Sequence, residues 1–254
     1  MELLALQTRR LQPGDDLAAT LRESAAIRAG DILVVSSKAI ATVEGRVIDL
    51  HSMKPGAEAV KWASACGRSA EFCEAVRMEL ERLRGRVVGS APGALLTEAQ
   101  PEGLSEGTIL TANAGLDESN VPEGRAVGWP EDPVLSVRHL RAKLADIGDI
   151  GLIVSDSVCI PRRLGVIAIA LVASGFDPIT TQRGRRDLFG KPLAITDEAV
   201  ADQLATAANA VMGNAAQSVP AVLIRNHGIE PSKFEGWVPG IVASQDLFRG
   251  VMNP

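Results

Sequence analysis

Residues 111–121 read Thr-Ala-Asn-Ala-Gly-Leu-Asp-Glu-Ser-Asn-Val and concentrate more chemistry than any other stretch of the chain. An apolar run ending at Leu110 delivers Asn113, Gly115, Asp117 and Asn120 into one short turn. Gly115 permits a tight backbone path that residues with a Cβ resist. Asp117 and Asn120 then stand together where a strand ends, and such oxygen donors suit a hard cation and a polyphosphate. The alternative is an ordinary polar loop. A second run, Gly151-Leu-Ile-Val-Ser-Asp156-Ser157, again stops at an acid, this time with a hydroxyl beside it. Two such turns can each offer one carboxylate to a shared metal.

With these residues in view, Asn-Ala-Gly-Leu-Asp-Glu-Ser-Asn-Val at 113–121 resembles the Asn-Ala-Gly-Ile-Asp-x-Ser-Asn signature of the coenzyme F420-0:γ-glutamyl ligase family. Other pieces follow in that family's order. Gly14-Asp-Asp-Leu lies near the start, and Asp31-Ile-Leu-Val-Val-Ser-Ser-Lys38 precedes Glu44-Gly45-Arg46. Asp156-Ser157 stands where the family has Asp-Thr, with Arg163 and Gly165 after it. Arg186-Asp-Leu-Phe-Gly190, Val200-Ala-Asp202, Met212-Gly213 and Val219-Pro-Ala-Val-Leu-Ile-Arg225 complete the series.

The resemblance implies an amide ligase that uses GTP and Mg²⁺ or Mn²⁺ to activate a small-molecule carboxylate as an acyl phosphate. L-glutamate, or another amine, then takes the acyl group. By position, Asp117 and Asp156 match ligands of a first metal, and Ser157 matches a hydroxyl ligand of a second. Asn120 matches a nucleotide contact, Ser37 and Lys38 a nucleotide-binding pair, and Gly213 falls in the same nucleotide group. Arg163 joins Asp117 and Asp156 as a candidate catalytic residue, through contact with phosphate or carboxylate. A homodimer is also implied, with Trp237 and Phe248 as candidates for a lid or for covering apolar surface near the interface.

Several positions depart from the family's pattern. Cys159 and Ile160 replace a Gly and an Arg after the second acid, and Thr42 replaces a Lys before Glu44. Gln203 and Asn214 stand where acids are usual, the latter a metal ligand, while Arg9 and Arg10 enter a segment that is normally apolar. An amide oxygen binds a hard cation more weakly than a carboxylate, so at most one tightly bound metal is expected, held by Asp117 and Asp156 with help from Ser157, and a second ion should need nucleotide. Positive charge is relocated, which predicts a shifted anion pocket, weak GTP binding and slow or absent glutamylation of F420-0, with another carboxylate or phosphate compound as the alternative substrate. The competing reading is a catalytically weakened homologue that binds a small anionic ligand or a partner protein.

Composition sets the outer bounds. At 254 residues the chain can bury a substantial core. A net charge of −5 excludes broad nucleic-acid binding, and 3% aromatics without a tyrosine exclude base-stacking platforms. Cys66, Cys73 and Cys159 lack zinc spacing, and the first two read as small buried hydrophobes. Thr8-Arg9-Arg10 interrupts the only apolar opening, and no apolar run reaches the roughly 20 residues of a membrane span, so a cytoplasmic protein is expected.

Helical spacing marks 15–28, 54–66, 69–84, 134–147 and 197–212. Strand-like runs occupy 2–7, 31–36, 86–89, 94–97, 108–113, 150–155, 166–173 and 221–225. The Pro/Gly-rich 121–133 and the polar 176–193 read as loops. His227 reads as a surface-loop histidine and Trp62 as a helix-face packing residue. The alternation without a linker predicts a mixed α/β (α+β) fold with mixed sheets, as one intertwined unit over 1–254.

Overall fold

A computed structural model describes residues 1–249. In chain order it places β1 (Glu2–Leu6), α1 (Leu17–Ser24), β2 (Ile32–Ser36), α2 (Ser37–Val43), β3 (Val47–Asp49), α3 (Ala57–Cys66) and α4 (Ala70–Arg82). Then follow β4 (Arg86–Ala91), β5 (Ala94–Ala99), β6 (Ile109–Ala112), β7 (Arg125–Val127), α5 (Pro133–Lys143), β8 (Gly151–Cys159) and β9 (Val166–Phe176). The described chain ends with β10 (Thr180–Thr181), β11 (Asp197–Glu198), α6 (Val200–Met212), β12 (Ala221–Arg225) and β13 (Pro231–Trp237). The fold is mixed α/β.

A six-stranded sheet, β1-β12-β2-β8-β9-β13, divides the interior. All its pairings are antiparallel except β2 with β8, which run parallel. Side chains alternate across a strand, so β2 feeds two cores. Leu33 and Val35 join the larger one with Phe72, Val76, Leu140 and Trp129, while Ile32 and Val34 join the smaller one under α6. Burial on both faces explains why β2 reads as an unbroken apolar run. On its inner face α6 presents Ala201, Ala205 and Ala208, whose small side chains let the helix lie close to the sheet. A three-stranded sheet, β4-β5-β6, delivers the 113–121 turn from the larger-core side.

Local chemistry sets the helix ends. The carboxylate of Asp16 caps α1 by accepting from the Ala19 amide (3.2 Å), and Ser69 caps α4 by accepting from Phe72 (3.1 Å). Asp132 accepts from Val134 and Leu135, each at 3.0 Å, ahead of Pro133 in the first turn of α5.

Several sequence expectations need correction. The helix expected over 15–28 stops at Ser24, whose hydroxyl donates to the Gln7 carbonyl (2.8 Å), and Ala25 is already extended. Residues 37–43, given no element by spacing, form α2, a helix too short for its periodicity to register. Strand β7 and the wholly buried Trp129 lie inside the supposed 121–133 loop. The supposed 176–193 loop contains β10, which pairs with β11 at the start of the helix expected over 197–212, and α6 begins only at Val200. Strand β13, which spacing did not mark, closes one edge of the large sheet.

Trp237 is not an exposed lid. It is buried, its indole donates to the Glu102 carbonyl (3.0 Å), and its ring lies 6.1 Å from that of Trp129. Phe248 remains half exposed. Cys66 and Cys73 are buried as expected, with sulfurs 3.8 Å apart, and burial pushes the Cys73 thiol up to about 12. Cys159 is exposed. No described helix is long and apolar enough to cross a membrane.

Candidate functional site

The parallel pair β2 and β8 has Ser36 opposite Ser155, so Ser37 and Asp156 follow at the same end of the two strands. Ligand crevices in α/β sheets open beyond such carboxyl ends. Here the crevice is a cleft of about 1340 Å³, walled by the 8–13 segment, the start of α2, the 111–122 turn, β8 and the 212–220 loop.

The 113–115 turn is unusual in its backbone. Asn113, Ala114 and Gly115 have φ of 54°, 54° and 78°, all in the left-handed region that disfavours a Cβ. Side chains hold the two non-glycine residues there. Asn113 Oδ1 accepts from the Leu95 amide (2.8 Å), and Thr97 Oγ1 accepts from the Ala114 amide (2.9 Å). The polar residues of this turn are therefore partly structural, and the same scaffolding projects Asp117 into the cleft.

Asp117 is surrounded by donors. Lys38 Nζ pairs with Asp117 Oδ2 and also donates to Ser119 Oγ (2.9 Å). The Ser119 amide and hydroxyl donate to Asp117 at 2.7 and 2.6 Å. Burial pushes the Asp117 carboxyl up, but Lys38 and Ser119 outweigh it and hold it below its ordinary range. Asn120 also lines the cleft, at φ 58°, and its side-chain amide donates to the Ala215 carbonyl (3.2 Å), joining the turn to the opposite wall.

Asp156 does not end its strand. β8 continues to Cys159, and the carboxylate is set into the wall by the indole of Trp129, which donates to Asp156 Oδ2 at 2.6 Å. Burial raises its pKa to about 6, against weaker opposition from Trp129, the Ser157 amide, Lys38 and Ser37. Neighbouring strand residues face opposite sides of a sheet. Ser157 accordingly turns toward the end of α6, where its hydroxyl donates to Asn214 Oδ1 (3.3 Å). Asp117 and Asp156 therefore belong to the larger-core side of the cleft, and Ser157 with Asn214 to the α6 side.

The other candidates scatter. Lys38 and Gly213 line the cleft, while Ser37 is buried behind it. Gly213, at φ 71°, ends α6, and a Cβ there would stand 2.5 Å from the side chain of Gln217. Arg163 lies in the exposed 160–165 turn between β8 and β9, outside the cleft lining. The Thr42 hydroxyl donates back to the Lys38 carbonyl (2.7 Å) on its own helix. Arg9 is held in a two-pronged pair by Asp15 (2.6 and 2.8 Å), whereas Arg10, on the same wall, forms no ion pair among the described residues. His227 is pinned outside the cleft, with Nδ1 accepting from the Ile229 amide (3.0 Å) and Nε2 against the Gly30 carbonyl (2.8 Å).

The donor chemistry fits Mg²⁺ or Mn²⁺ in kind, since Asp117, Asp156, Ser157 and Asn214 offer only hard oxygens. Among the described residues no three His, Cys, Asp or Glu side chains gather as a metal-binding group. The cleft lining thus offers two carboxylates and neutral oxygens. Trp129, which touches Asp156, escaped the sequence reading. Its one signal was a large aromatic residue in a segment otherwise read as a Pro/Gly-rich loop.

Comparison with known proteins places this cleft in context. A family model described as F420-0:Gamma-glutamyl ligase matches residues 5–226. A coenzyme F420:L-glutamate ligase of Methanopyrus kandleri is 38% identical over 95% of this chain and 94% of its own length. Ligases of the same description from Methanothermobacter thermautotrophicus and Archaeoglobus fulgidus are 33% and 36% identical, over 87% and 85% of this chain and 85% and 83% of theirs. The match contains both acid-bearing segments, α2 and the whole of α6, and the chain belongs to the F420-0:γ-glutamyl ligase family.

Proposed function

We propose that the protein is a GTP- and divalent-metal-dependent amide ligase that joins L-glutamate to the carboxylate of a coenzyme F420 precursor. One observation carries this reading: Asp117, Asp156 and Lys38 meet at the open end of the parallel strand pair, inside the segment the family model matches. In the reaction a substrate carboxylate oxygen attacks the γ-phosphorus of GTP and GDP leaves. The amine of glutamate then attacks the acyl carbon, the C–O bond to phosphate breaks, and the proton lost by the amine leaves with the departing phosphate. Asp117 and Asp156 are the residues that would hold a divalent cation, which offsets triphosphate charge when bound. Lys38 and Arg10 supply the protein's own cationic contacts to phosphate.

A homodimer forms part of the proposal. Leu164 on the β8–β9 turn and Leu188, Phe189 and Ile195 between β10 and β11 are almost fully exposed, an apolar set that a second copy would cover.

The test is incubation with F420-0, L-glutamate, GTP and Mn²⁺, followed by mass spectrometry. A product heavier by one glutamyl residue, with matching GDP release, supports the proposal. Asn214, standing where the resemblance calls for an acid, favours a second reading as a weakened binding homologue. GTP binding without any turnover would select that reading.

A further inference from the structure

We propose that Trp129 is a positioning residue of this cleft, and that the segment 127–129 fixes the two carboxylates relative to each other. The proposal rests on the reading of Asp117 and Asp156 as the cation-holding pair. Asp117 and Val127, the last residue of β7, exchange both backbone hydrogen bonds, each 2.9 Å, as an isolated antiparallel bridge. Two residues later, the indole of Trp129 donates to Asp156 Oδ2 at 2.6 Å. One three-residue segment therefore grips the first acid by its backbone and the second by its side chain.

Packing leaves the indole little freedom. Trp129 is wholly buried, so its N–H needs a partner, and a carboxylate accepts more strongly than a neutral group. The ring crosses Gly115 so closely that a Cβ there would lie 2.4 Å from Nε1 and 2.6 Å from Cε2. Glycine at 115 thus serves twice, for its φ of +78° and for passage of the indole. Behind the ring stands Trp237, itself tied to the Glu102 carbonyl. Partners that orient metal-ligating carboxylates typically change affinity by about 10–100-fold when removed, without touching the cation.

The experiment uses the full-length protein. Trp129→Phe keeps an aromatic ring and removes the N–H. Free Mn²⁺ measured by electron paramagnetic resonance should show about tenfold weaker binding by Trp129→Phe at unchanged far-ultraviolet circular dichroism. Asp156→Asn should lose tight binding altogether. Equal Mn²⁺ affinity in wild type and Trp129→Phe overturns the positioning role while leaving the cation reading intact. No Mn²⁺ binding by wild type overturns both. Should Trp129→Phe not fold, fluorine NMR of 5-fluorotryptophan-labelled wild type decides. Trp62→Phe and Trp237→Phe assign the Trp129 resonance by elimination, and Mg²⁺ should shift it. A Trp129 resonance unmoved at saturating Mg²⁺ overturns the proposal.

Discussion

Replacing Asp156 with Asn isolates the cost of burying its charge. The native fold raises this carboxyl from an ordinary 3.8 to about 6. A carboxyl with a raised folded pKa binds its proton more tightly when folded, so stability falls as pH rises between the unfolded and folded values. At roughly 1.36 kcal/mol per pH unit, the full penalty above pH 6 is ~3 kcal/mol. It shrinks to about 1 kcal/mol by pH 4.5 and vanishes below the unfolded pKa. Asn keeps an oxygen to accept from the Trp129 indole and carries no charge. With metal removed by chelator, Asp156→Asn is therefore expected to melt higher than wild type at pH 8, by about 6–12 °C at roughly 2–4 °C per kcal/mol for a chain of this size. At pH 4.5 most of the gain should be gone. Saturating Mn²⁺ should reverse the order at pH 8 by stabilising only the wild type. Differential scanning calorimetry at the two pH values measures both effects. A variant less stable than wild type at pH 8 without metal, or one whose gain is the same at both pH values, would refute the reasoning.

Lys38→Met should weaken GTP binding at least tenfold by calorimetry, yet strengthen Mn²⁺ binding in the absence of nucleotide, because the ammonium now paired with Asp117 competes with the cation. Asn214→Glu places a carboxylate opposite Ser157, and the Mn²⁺ stoichiometry without nucleotide should rise from one per chain to two. Arg10→Ala should cost GTP affinity and flatten its salt dependence, while Arg9→Ala should do less, since Arg9 is already engaged by Asp15. Wild type should sediment as a dimer at micromolar concentration, and Leu188→Asp with Phe189→Asp should release monomer; a wild-type monomer would end the dimer proposal.

The framework was legible where one periodicity governs many residues. The helix at 69–84 and the alanine-rich helix ending at Met212 each bury a face marked by spacing and reappear as α4 and α6, while the unbroken apolar run at 31–36 reappears as β2, buried on both faces. Short elements lacked that redundancy. The helix α2 has seven residues and β7 three, so neither pattern rises above chance, although α2 positions Lys38 and β7 leads to Trp129. Asp156 was misplaced for a different reason. An apolar run does end there, but hydrogen-bonded pairing with β9 continues to Cys159, and pairing depends on the partner strand rather than on polarity.

The two arginines at 9 and 10 show how far counting charges can carry an argument. Two added cations and two lost ones suggest a straightforward relocation of positive charge. Geometry divides the pair, because Asp15 accepts from both terminal nitrogens of Arg9 and also from the Gln12 amide, so that acid, its arginine and the turn form one closed unit. A bidentate pair satisfies the guanidinium where it stands, and drawing it onto phosphate would first have to break both hydrogen bonds. Arg10 has no such competitor among the described residues. Thr42, where the lost lysine would stand, turns its hydroxyl back onto its own helix and offers the cleft no compensating donor. The cleft therefore gains one available cation on this wall, and its anion affinity should track Arg10 and Lys38 rather than the number of basic residues nearby.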